Sequence, residues 1–530
     1  MLAVALGGER TGFAAEDRRW AGTVADLAGL EEGRPRWVVW SAASTRLVRQ
    51  GVRPRAVWDL AAVHKLLHGG RRDDPAAVWA AAHGLPEPPP PGDDLTLLDA
   101  ALAVVEGFGG PVRADGSLHP DAARATDLAG WAALALAAQR LQEEQLRALP
   151  DPRPVPSGPP LALVTAWAES AAAMLCVELE HDGLPVDRTE ALRLIAASIG
   201  DGDRAVRDAP VHALLRGDPV DLRSPGQVRE ALLRLGIDVP DTRSWRLEPY
   251  RQAHPVVDAL LTWRKAERVA TTYGYGWVAG HVGADDRLRG EWTAADGGAG
   301  RMTASAGLHS LPAELRSAVA AEPGHVLVRA DLGQVEPRVL AAVSGDRALA
   351  VAAVEDDMYT PVARQLGCDR PTAKIAVLAA MYGQTSGAAG QALRQMEQAY
   401  PAALAYLRAA EEAGRVGVDV RTHGGRLVRV GTGGAGRYSR NAVVQGAAAE
   451  LFKAWAAAVR NGLGRTSGEG RIVLCLHDEL LLHVREEDAP AAVTLLLDAL
   501  RSTAAHWASG SGVRFVADVA VVHRWSEAKA

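Results

Sequence analysis

Two basic residues, Arg370 and Lys374, stand one helical turn apart in the stretch DRPTAKIAVLAAMYGQ, residues 369–384. Pro371 suits a first helical turn and Gly383 suits a helix end, so the stretch predicts a helix of about three turns. On that helix the two basic side chains share a face near the N-terminus, where their charges add to that of the helix dipole. The pattern therefore predicts an anion-binding site.

The same face of the predicted helix continues through Leu378 to Tyr382. Core packing would account for Ile375, Val377 and Leu378, but it would leave the two basic residues as mere surface charge. The sequence thus predicts one stripe that carries two cations, an apolar residue and a phenol.

A carboxylate ends a predicted strand in the stretch HVLVRADLGQVEPRV, which begins at His325. Side chains alternate in polarity as far as Leu332, which is typical of a strand, and Glu336 with its following proline predicts a helix start. Asp331 lies at the end of this strand. By itself the stretch is equally compatible with an ordinary strand exit, because a single acid at a strand end is common.

A second acidic site occurs in RIVLCLHDELLLHV, residues 471–484. Two apolar runs flank His477, Asp478 and Glu479 without an intervening Gly or Pro. The pattern predicts a β-hairpin with these three polar residues at its tip. A hairpin made soluble by its turn is the plainer interpretation of the same pattern.

Charge is unevenly distributed along the 530 residues, whose formal net charge of −6 argues against indiscriminate coating of nucleic acid. Residues 421–440 contain five arginines, one histidine, six glycines and no acid. This composition predicts a flexible basic loop suited to a phosphate backbone, with a solvated surface loop as the alternative. Only five of the 58 basic residues are lysines. Such positions, Lys374 among them, are candidates for a role that arginine cannot fill, such as donating a proton.

Two proline-rich segments divide the N-terminal part, at residues 84–94 and 150–160. The second predicts a linker at 151–160 between a domain at 1–150 and a larger region at 161–530, where Leu161 to Asp182 is an expected helix. We expect no membrane span and no signal peptide. Three widely spaced cysteines fit no metal or disulfide framework, which indicates a reducing, cytoplasmic location.

The order of these motifs resembles that of the family A (Klenow-type) DNA polymerases. The resemblance extends from about Glu169 to the C-terminus and rests on four motifs that occur in the family's order. These motifs are Asp331, Glu336 and Arg338; Arg370, Lys374, Tyr382 and Gly383; Arg437, Asn441, Gln445 and Gly446; and His477, Asp478 and Glu479.

The resemblance implies a multidomain α+β and α/β protein. A ribonuclease-H-like, 3′-to-5′ exonuclease-type domain would occupy residues 1–150. A thumb at about 185–285, a palm at about 286–350 and 440–530 with an antiparallel sheet, and fingers at about 351–439 would follow.

The implied reaction is DNA-templated addition of deoxynucleotides to a primer 3′-hydroxyl, in DNA repair or replication. Two Mg²⁺ ions, which Mn²⁺ can replace, would be bound by Asp331, Asp478 and the Leu332 carbonyl, because two-metal nucleotidyl transfer needs bridging carboxylates on rigid strands. The partners would be primer-template DNA and deoxynucleoside triphosphates, and the chain would act as a monomer.

The resemblance also implies roles for the remaining residues. Glu336, paired with Tyr382, would exclude a 2′-hydroxyl. Arg370 and Lys374 would bind the triphosphate, Lys374 would protonate the departing pyrophosphate, and Leu378 would contact the nucleotide. The residues expected to contact DNA are Arg268, Arg301, Arg437, Asn441, Gln445 and His477.

The chain departs from the family pattern at three places. Leu332-Gly333 replaces a usual Tyr-Ser, and Leu378 replaces an aromatic residue. The N-terminal region has no Asp-x-Glu on its first strand, and a lone Asp59 cannot hold two metals. We therefore expect a degenerate exonuclease-like domain without proofreading.

Two other functions remain open on the sequence alone. A related single-subunit RNA polymerase shares the Asp, Lys-Tyr-Gly and His-Asp-Glu motifs, but a carboxylate at position 336 argues against use of ribonucleotides. A non-catalytic DNA-binding protein derived from a polymerase is compatible with the altered residues beside Asp331 and Tyr382, and the two aspartates argue against it.

Overall fold

The structure, a computed structural model, describes residues 1–70, 72–88, 111–119, 122, 127–215, 220–383, 388–431, 435–466 and 469–528. The chain forms two compact units. The first comprises Met1–Asp182, Glu291–Thr303 and Gly324–Val521, and the second comprises Gly183–Gly290, Ala304–Pro323 and Val522–Ala530.

In chain order, the strands of the described residues are β1 (Leu2–Gly7), β2 (Arg10–Ala14), β3 (Arg19–Thr23), β4 (Arg36–Val39), β5 (Ala56–Asp59), β6 (Leu184–Pro185), β7 (Arg287–Leu288), β8 (Trp292–Asp296), β9 (Arg301–Ala304), β10 (His325–Leu332), β11 (Val420–Arg421), β12 (Leu427–Val428), β13 (Arg471–Leu476), β14 (Glu479–Arg485) and β15 (Ala517–Val522). The helices of the N-terminal region and of the second unit are α1 (Asp26–Glu32), α2 (Ala42–Thr45), α3 (Leu60–His68), α4 (Pro75–Ala82), α5 (Leu128–Arg147), α6 (Leu161–Asp182), α7 (Arg188–Ile199), α8 (Arg204–His212), α9 (Pro225–Arg234), α10 (Ser244–Leu247), α11 (Pro255–Thr272) and α12 (Tyr275–His281). The later helices are α13 (Val335–Ser344), α14 (Arg347–Ala352), α15 (Tyr359–Leu366), α16 (Arg370–Tyr382), α17 (Ala388–Ala399), α18 (Pro401–Arg415), α19 (Gly436–Thr466) and α20 (Ala489–Trp507).

The N-terminal region is built on a five-stranded mixed sheet in the order β3-β2-β1-β4-β5. The first three strands pair antiparallel, whereas β4 pairs parallel with both β1 and β5. Helix α5 packs directly on β2, because a Cβ on Gly12 would lie 2.0 Å from the backbone of Leu128. A glycine at this position lets the helix cover the sheet.

Asp59 ends β5 and caps helix α3. Its carboxylate accepts hydrogen bonds from the backbone N–H groups of Ala42 at 2.6 Å and Ala62 at 2.8 Å. The side chain is buried, and burial raises the pKa of Asp59 to about 6. Asp59 thus acts as a helix cap in the interior of the N-terminal region.

The proline-rich segment 151–160 is fixed to the first unit by Arg153, whose side chain is fully buried. Its guanidinium donates to Asp151 and to the carbonyls of Ser157 at 3.0 Å and His506 at 3.2 Å. This linker therefore has a defined path rather than the behaviour of a free tether.

Helix α6 begins and ends where the sequence predicts it. An 18-residue window of this helix has a mean hydropathy of 1.4, enough for a membrane span by length and composition, yet 72% of that window is buried in the protein. This is the packing of a core helix. It also carries Glu169, which is 1% exposed.

Glu169 lies in a buried charged cluster that joins α6, α19 and the β11-β12 hairpin. Lys453 donates to both of its carboxylate oxygens, at 2.9 and 2.7 Å, and the Arg426 guanidinium lies 2.6 Å away. A second buried carboxylate, Glu450, accepts from Thr422 and from the N–H of Gly424 at 2.8 Å. Because the charges compensate each other, the hairpin is fixed on the helices rather than exposed as a loop.

The first unit also contains a four-stranded sheet in the order β13-β14-β10-β15. Strand β14 pairs antiparallel with both β10 and β13. Leu327, Val328, Leu481 and Leu482 are completely buried. The strand and hairpin predicted from the sequence are confirmed, and the buried apolar runs make the sheet a rigid support.

The second unit is mainly helical. Its core contains residues of α8, α9 and α11, such as Val211, Leu232 and Leu260. Arg223 pairs with both Asp208 and Glu267. Its first segment, Gly183–Gly290, contains the whole range of about 185–285 at which a thumb is expected.

The buried Asp59 predicts a pH-dependent stability. A folded-state pKa of about 6 against the ordinary aspartate value of 3.8 means that the stability linked to the neutral carboxyl is present at low pH and lost as pH rises through 6. Asp59→Asn cannot titrate, so its stability deficit relative to the wild type should shrink by up to about 3 kcal/mol between roughly pH 4 and pH 7.

Urea unfolding at several pH values measures this difference. Asp74→Asn is the matched control, because Asp74 also caps a helix but has a pKa below the usual value. Its deficit should stay flat over the same range. Parallel stability curves for wild type and Asp59→Asn would contradict the assignment.

Candidate active site

The two aspartates predicted to act together lie at one end of the four-stranded sheet. Asp331 pairs in register with Glu479, and the backbone N–H of Leu332 donates to the carbonyl of Asp478 at 2.9 Å. His477 and Asp478 form the two-residue turn between β13 and β14, with His477 at a left-handed φ of 47°. The strand register therefore brings Asp331 and Asp478 together.

Glu479 does not lie at the hairpin tip as the sequence predicted. It is the first residue of β14 and is buried, and its carboxylate lies 2.9 Å from Nε of Arg329. The same guanidinium contacts Asp331 and lies 3.3 Å from Asp518. Arg329 is only 1% exposed, and its buried charge is balanced by these acids on three neighbouring strands, β10, β14 and β15.

The donor set around the two aspartates fits a divalent cation. Burial and the neighbouring Asp331 carboxylate raise the pKa of Asp478 to about 6. Like charges so placed disfavour one another unless a proton or a cation intervenes. Carboxylate and carbonyl oxygens are the ligands that Mg²⁺ and Mn²⁺ prefer.

Glu336 and Tyr382 line the same depression beside the aspartates. The Tyr382 hydroxyl donates to Glu336 Oε2 at 2.8 Å, and Arg301 contacts the other oxygen of the same carboxylate. Burial and the Glu336 charge raise the pKa of Tyr382 to about 12. His477 and Asp478 also line this depression. The expected pairing of Glu336 with Tyr382 is thus present.

Helix α16 has the predicted bounds and polarity. Its N-cap is Asp369, whose side chain accepts from the N–H of Thr372, and Gly383 ends it in the left-handed conformation at φ 65°. Arg370 and Lys374 are exposed, and Leu378 is partly buried. The stripe therefore faces outward.

The core alternative considered for this helix is wrong at Ile375, which is 57% exposed. The buried face uses alanines together with Val377 and Met381. Small side chains allow the helix to lie close to its neighbours.

Arg370 is engaged by an acid that the sequence did not reveal. Its Nε and Nη2 donate to Asp357 at 2.8 and 3.0 Å. Asp357 also accepts from Gln334 at 2.6 Å, and the Gln334 amide oxygen accepts from the N–H of Met358 at 2.9 Å. This network connects the N-terminal end of α16 to the start of α13, where Gln334 is left-handed.

Helix α19 carries three of the predicted DNA contacts on one face. Arg437 is exposed, with a 3.5 Å hydrogen bond to the Tyr382 carbonyl. Asn441 has a buried amide oxygen without a hydrogen-bond partner among the described residues, and Gln445 interacts with the Tyr382 hydroxyl. A buried polar atom without a partner is a candidate for ligand binding. In the second unit, Arg268 is exposed and donates to the Ser310 carbonyl at 2.5 Å.

The prediction of a flexible basic loop at 421–440 is wrong for its described part; residues 432–434 lie outside the described residues. Arg421 and Arg429 donate to the carbonyls of Leu67 at 3.0 Å and His68 at 2.8 Å, at the C-terminus of α3. Two further arginines of the segment, at 426 and 440, are buried in intramolecular contacts. Four of the five arginines therefore stabilise the fold.

Arg338, which belongs to the first of the four motifs, is completely buried and has a structural role. It donates to the carbonyls of Gly333, Ala353, Arg514, Glu355 and Asp356, at 2.6 to 3.0 Å. Five carbonyl acceptors match the donor capacity of a guanidinium. A lysine could not bind all five carbonyls. The hydrogen bonds of Arg338 fix the turn that follows Asp331.

The departure at Gly333 has a steric reason. Its N–H donates to the Val516 carbonyl at 2.9 Å, and a Cβ at this position would lie 2.9 Å from Val516 Cγ2. The neighbouring segment thus lies too close for the serine that the resemblance leads one to expect. The departure reflects packing against Val516 and leaves the aspartates unaltered.

Comparison with solved structures identifies the fold. The polymerase domain of Pol1 from M. smegmatis, solved in complex with a DNA primer-template and dNTP, matches all of this chain and 96% of its own chain, with a TM-score of 0.69 and 20% identity. The architecture is therefore that of a polymerase domain.

The family model described as DNA polymerase family A matches residues 203–527. The chain belongs to DNA polymerase family A. The likeness that the motifs indicated is thereby confirmed.

Curated relatives are bacterial DNA polymerases I. The enzyme of Chloroflexus aurantiacus is 28% identical over 340 residues, covering 54% of this chain and 36% of its own. The thermostable enzymes of Thermus filiformis and Thermus thermophilus are 29% and 30% identical, covering 59% and 53% of this chain and 43% and 39% of their own. The chain thus spans about two fifths of the length of these relatives.

The packing at Gly333 can be tested by substitution. Gly333→Ser should lower the free energy of unfolding by about 1–3 kcal/mol, because the added atoms overpack against Val516. Adding Val516→Ala should recover much of this loss, since the shorter side chain makes room.

Thermal unfolding measures the stability of Gly333→Ser, of its combination with Val516→Ala and of a control. Gly431→Ser serves as the control, because a Cβ there meets nothing within 4 Å. A Gly333→Ser protein as stable as the control would mean that the Val516 segment yields freely.

Proposed function

We propose that the chain is a DNA-templated DNA polymerase that extends a primer 3′-hydroxyl with deoxynucleotides and releases pyrophosphate. The observation that carries the proposal is the close placement of Asp331 and Asp478 at the end of a buried sheet, beside the hydrogen-bonded Glu336 and Tyr382. Membership of family A supports the same reaction. Primer-template DNA and deoxynucleoside triphosphates are the proposed partners.

Asp331, Asp478 and the Leu332 carbonyl would hold two Mg²⁺ ions, for which Mn²⁺ can substitute. Bound there, the ions supply activation of the primer hydroxyl and neutralisation of phosphate charge. The protein's own part is rigidity, since β10 and the β13-β14 turn fix both carboxylates before substrate arrives. His477 at the same turn is placed for the primer end.

The exposed stripe of α16 would bind the nucleotide. Arg370 and Lys374 offer positive charge near the helix N-terminus, which suits a triphosphate. Lys374 can give a proton to the leaving pyrophosphate, as arginine cannot. Leu378 would contact the sugar, and Glu336 under the sugar, with Tyr382 bound to it, would exclude a 2′-hydroxyl.

DNA binding would use arginine and amide side chains. Arg268, Arg301, Arg437, Asn441 and Gln445 would contact the primer-template, largely without reading its sequence. A thumb at about 185–285, a palm at about 286–350 and 440–530, and fingers at about 351–439 would form a monomer that acts in the cytoplasm in repair or replication.

The N-terminal residues 1–150 would form a degenerate exonuclease-like domain without proofreading. Its mixed sheet, with antiparallel and parallel strand pairs, supports this proposal. The use of the Asp59 carboxylate as a helix cap accounts for its retention without a metal partner.

The decisive test is single-nucleotide primer extension with deoxy- and ribonucleotides in Mg²⁺ or Mn²⁺. Asp331→Ala and Asp478→Ala should each abolish incorporation while leaving primer-template affinity within a few-fold, because arginine contacts to phosphates dominate DNA affinity. Asp498→Ala is the matched control, since this carboxylate is exposed on α20 and pairs only with Arg501 in the described structure.

Incorporation by either active-site variant at near wild-type rate would refute the proposal. A wild type that prefers ribonucleotides would favour the RNA polymerase alternative. A well-folded wild type that binds DNA and incorporates neither nucleotide would favour the non-catalytic alternative.

Leu378 gives a separate prediction about sugar selection. Leucine lacks the ring face and the hydroxyl that a tyrosine would place beside the nucleotide, so the wild type should use dideoxynucleotides poorly. Leu378→Tyr should raise dideoxynucleotide efficiency relative to deoxynucleotide by several-fold, measured by insertion kinetics on one template. An unchanged ratio in a folded variant would mean that Leu378 does not face the sugar.

A further inference from the structure

Arg440 connects three helices through one buried guanidinium. The residue lies on α19 and is 4% exposed. Its Nε donates to the Ala380 carbonyl of α16 at 2.9 Å, Nη2 contacts the same oxygen, and Nη1 donates to Glu411 of α18. The charge is thus compensated by one carboxylate and one helix carbonyl.

The carbonyl that Arg440 binds belongs to the last turn of α16. The final carbonyls of a helix have no partner within the helix, and a cation there also interacts favourably with the helix dipole. The Ala379 carbonyl already accepts from the Gly383 N–H, and the Tyr382 carbonyl accepts from Arg437 at 3.5 Å. Arg440 therefore completes the C-terminal end of the helix.

This end of α16 carries Tyr382, whose hydroxyl donates to Glu336. The side chain of Tyr382 also interacts with Gln445, one turn beyond Arg440 on α19. Helix α19 thus holds this end of α16 at two points. Gln445 interacts with the Tyr382 side chain, and Arg440 binds the backbone carbonyl of Ala380, two residues earlier. The direction of the phenol depends on both contacts.

Close packing fixes Glu411 relative to Arg440. A Cβ on Gly436 would lie 2.8 Å from the Glu411 carbonyl, and a Cβ on Gly414 would lie 2.1 Å from Ser439 Oγ. The two helices α18 and α19 therefore cross at glycine-sized spacing. The backbone of Glu411 is thereby held close to α19, and its carboxylate, which is 39% exposed, reaches the Arg440 guanidinium from there.

We infer that Arg440 is a positioning residue for sugar discrimination. By binding the Ala380 carbonyl it fixes the last turn of α16, so that the Tyr382 hydroxyl stays on Glu336 and the space under the sugar stays closed to a 2′-hydroxyl. The inference rests on the proposed polymerase function. Arg440 itself has no expected contact with nucleotide or DNA, and it acts through Tyr382.

The first test is the ratio of ribonucleotide to deoxynucleotide efficiency in single-turnover primer extension. Arg440→Met removes the charged hydrogen bonds at similar length, so the ratio should rise about tenfold, as expected for one lost charge-assisted interaction. Arg440→Lys can bind only one of the two partners, the Ala380 carbonyl or Glu411. Its ratio should therefore lie between those of the wild type and Arg440→Met. A merely structural role would lower both efficiencies together and leave the ratio unchanged.

Glu411→Gln keeps the packing and removes only the compensating charge, so it should raise the ratio by less than Arg440→Met. It also covers the case in which Arg440→Met fails to fold. Arg415→Met is the control, because Arg415 is exposed on α18 and pairs with Glu412.

The second test is amide hydrogen exchange of the full chain, which needs no catalysis. Exchange at Met381, Tyr382 and Gly383 should accelerate in Arg440→Met, while the amides in the middle of α16 stay protected. Glu411→Gln should show a smaller effect in the same direction.

The possible outcomes distinguish the role of Arg440 from the polymerase function itself. Wild-type protein that incorporates neither nucleotide overturns the proposed function, and the role in sugar discrimination with it. An active Arg440→Met protein with an unchanged ratio, or with unchanged exchange at the end of α16, overturns only the role of Arg440.

Discussion

The active site depends on the close placement of two carboxylates, Asp331 and Asp478. They repel each other, and the β10-β14 register holds them together. Asp331 and Asp478 are brought close by a backbone hydrogen bond between the strand end and the hairpin turn, and the pKa of Asp478 rises to about 6 through burial and the Asp331 charge. Such an arrangement persists only when the surrounding sheet is stable enough to impose it. That stability comes from the buried strands, from the Arg329 guanidinium beside Asp331 and Glu479, and from the five carbonyls bound by Arg338.

Much of this site could be predicted from the sequence, because strand alternation, helix caps and the spacing of charged residues are local signals. The bounds of β10 and α16 and the pairing of Glu336 with Tyr382 followed from them or from the resemblance. Glu479 did not, because its polarity places it in a turn unless the buried Arg329 is known. Ile375 also did not, since an apolar residue carries no sign of which face it occupies.

The basic segment 421–440 shows the same limit at larger scale. Arginine and glycine density indicates an exposed loop, yet Arg426 and Arg440 are buried because Glu169 and Glu411, distant in sequence, compensate their charges. Long-range ion pairs leave no local pattern. The position of Lys453 is also explained by a long-range ion pair. This lysine binds the buried Glu169 carboxylate, which Arg426 also contacts. Retention of a lysine therefore does not by itself indicate proton donation, which is proposed for Lys374 alone.

The proposed metal site at Asp331 and Asp478 is tested most directly by anomalous diffraction from a crystal of the protein with primer-template DNA, a non-hydrolysable deoxynucleotide and Mn²⁺. We expect two Mn²⁺ peaks bound by the carboxylates of Asp331 and Asp478, with the triphosphate along the exposed stripe of α16. Density for DNA and nucleotide without Mn²⁺ at these two carboxylates, or with the triphosphate away from Arg370 and Lys374, would contradict it.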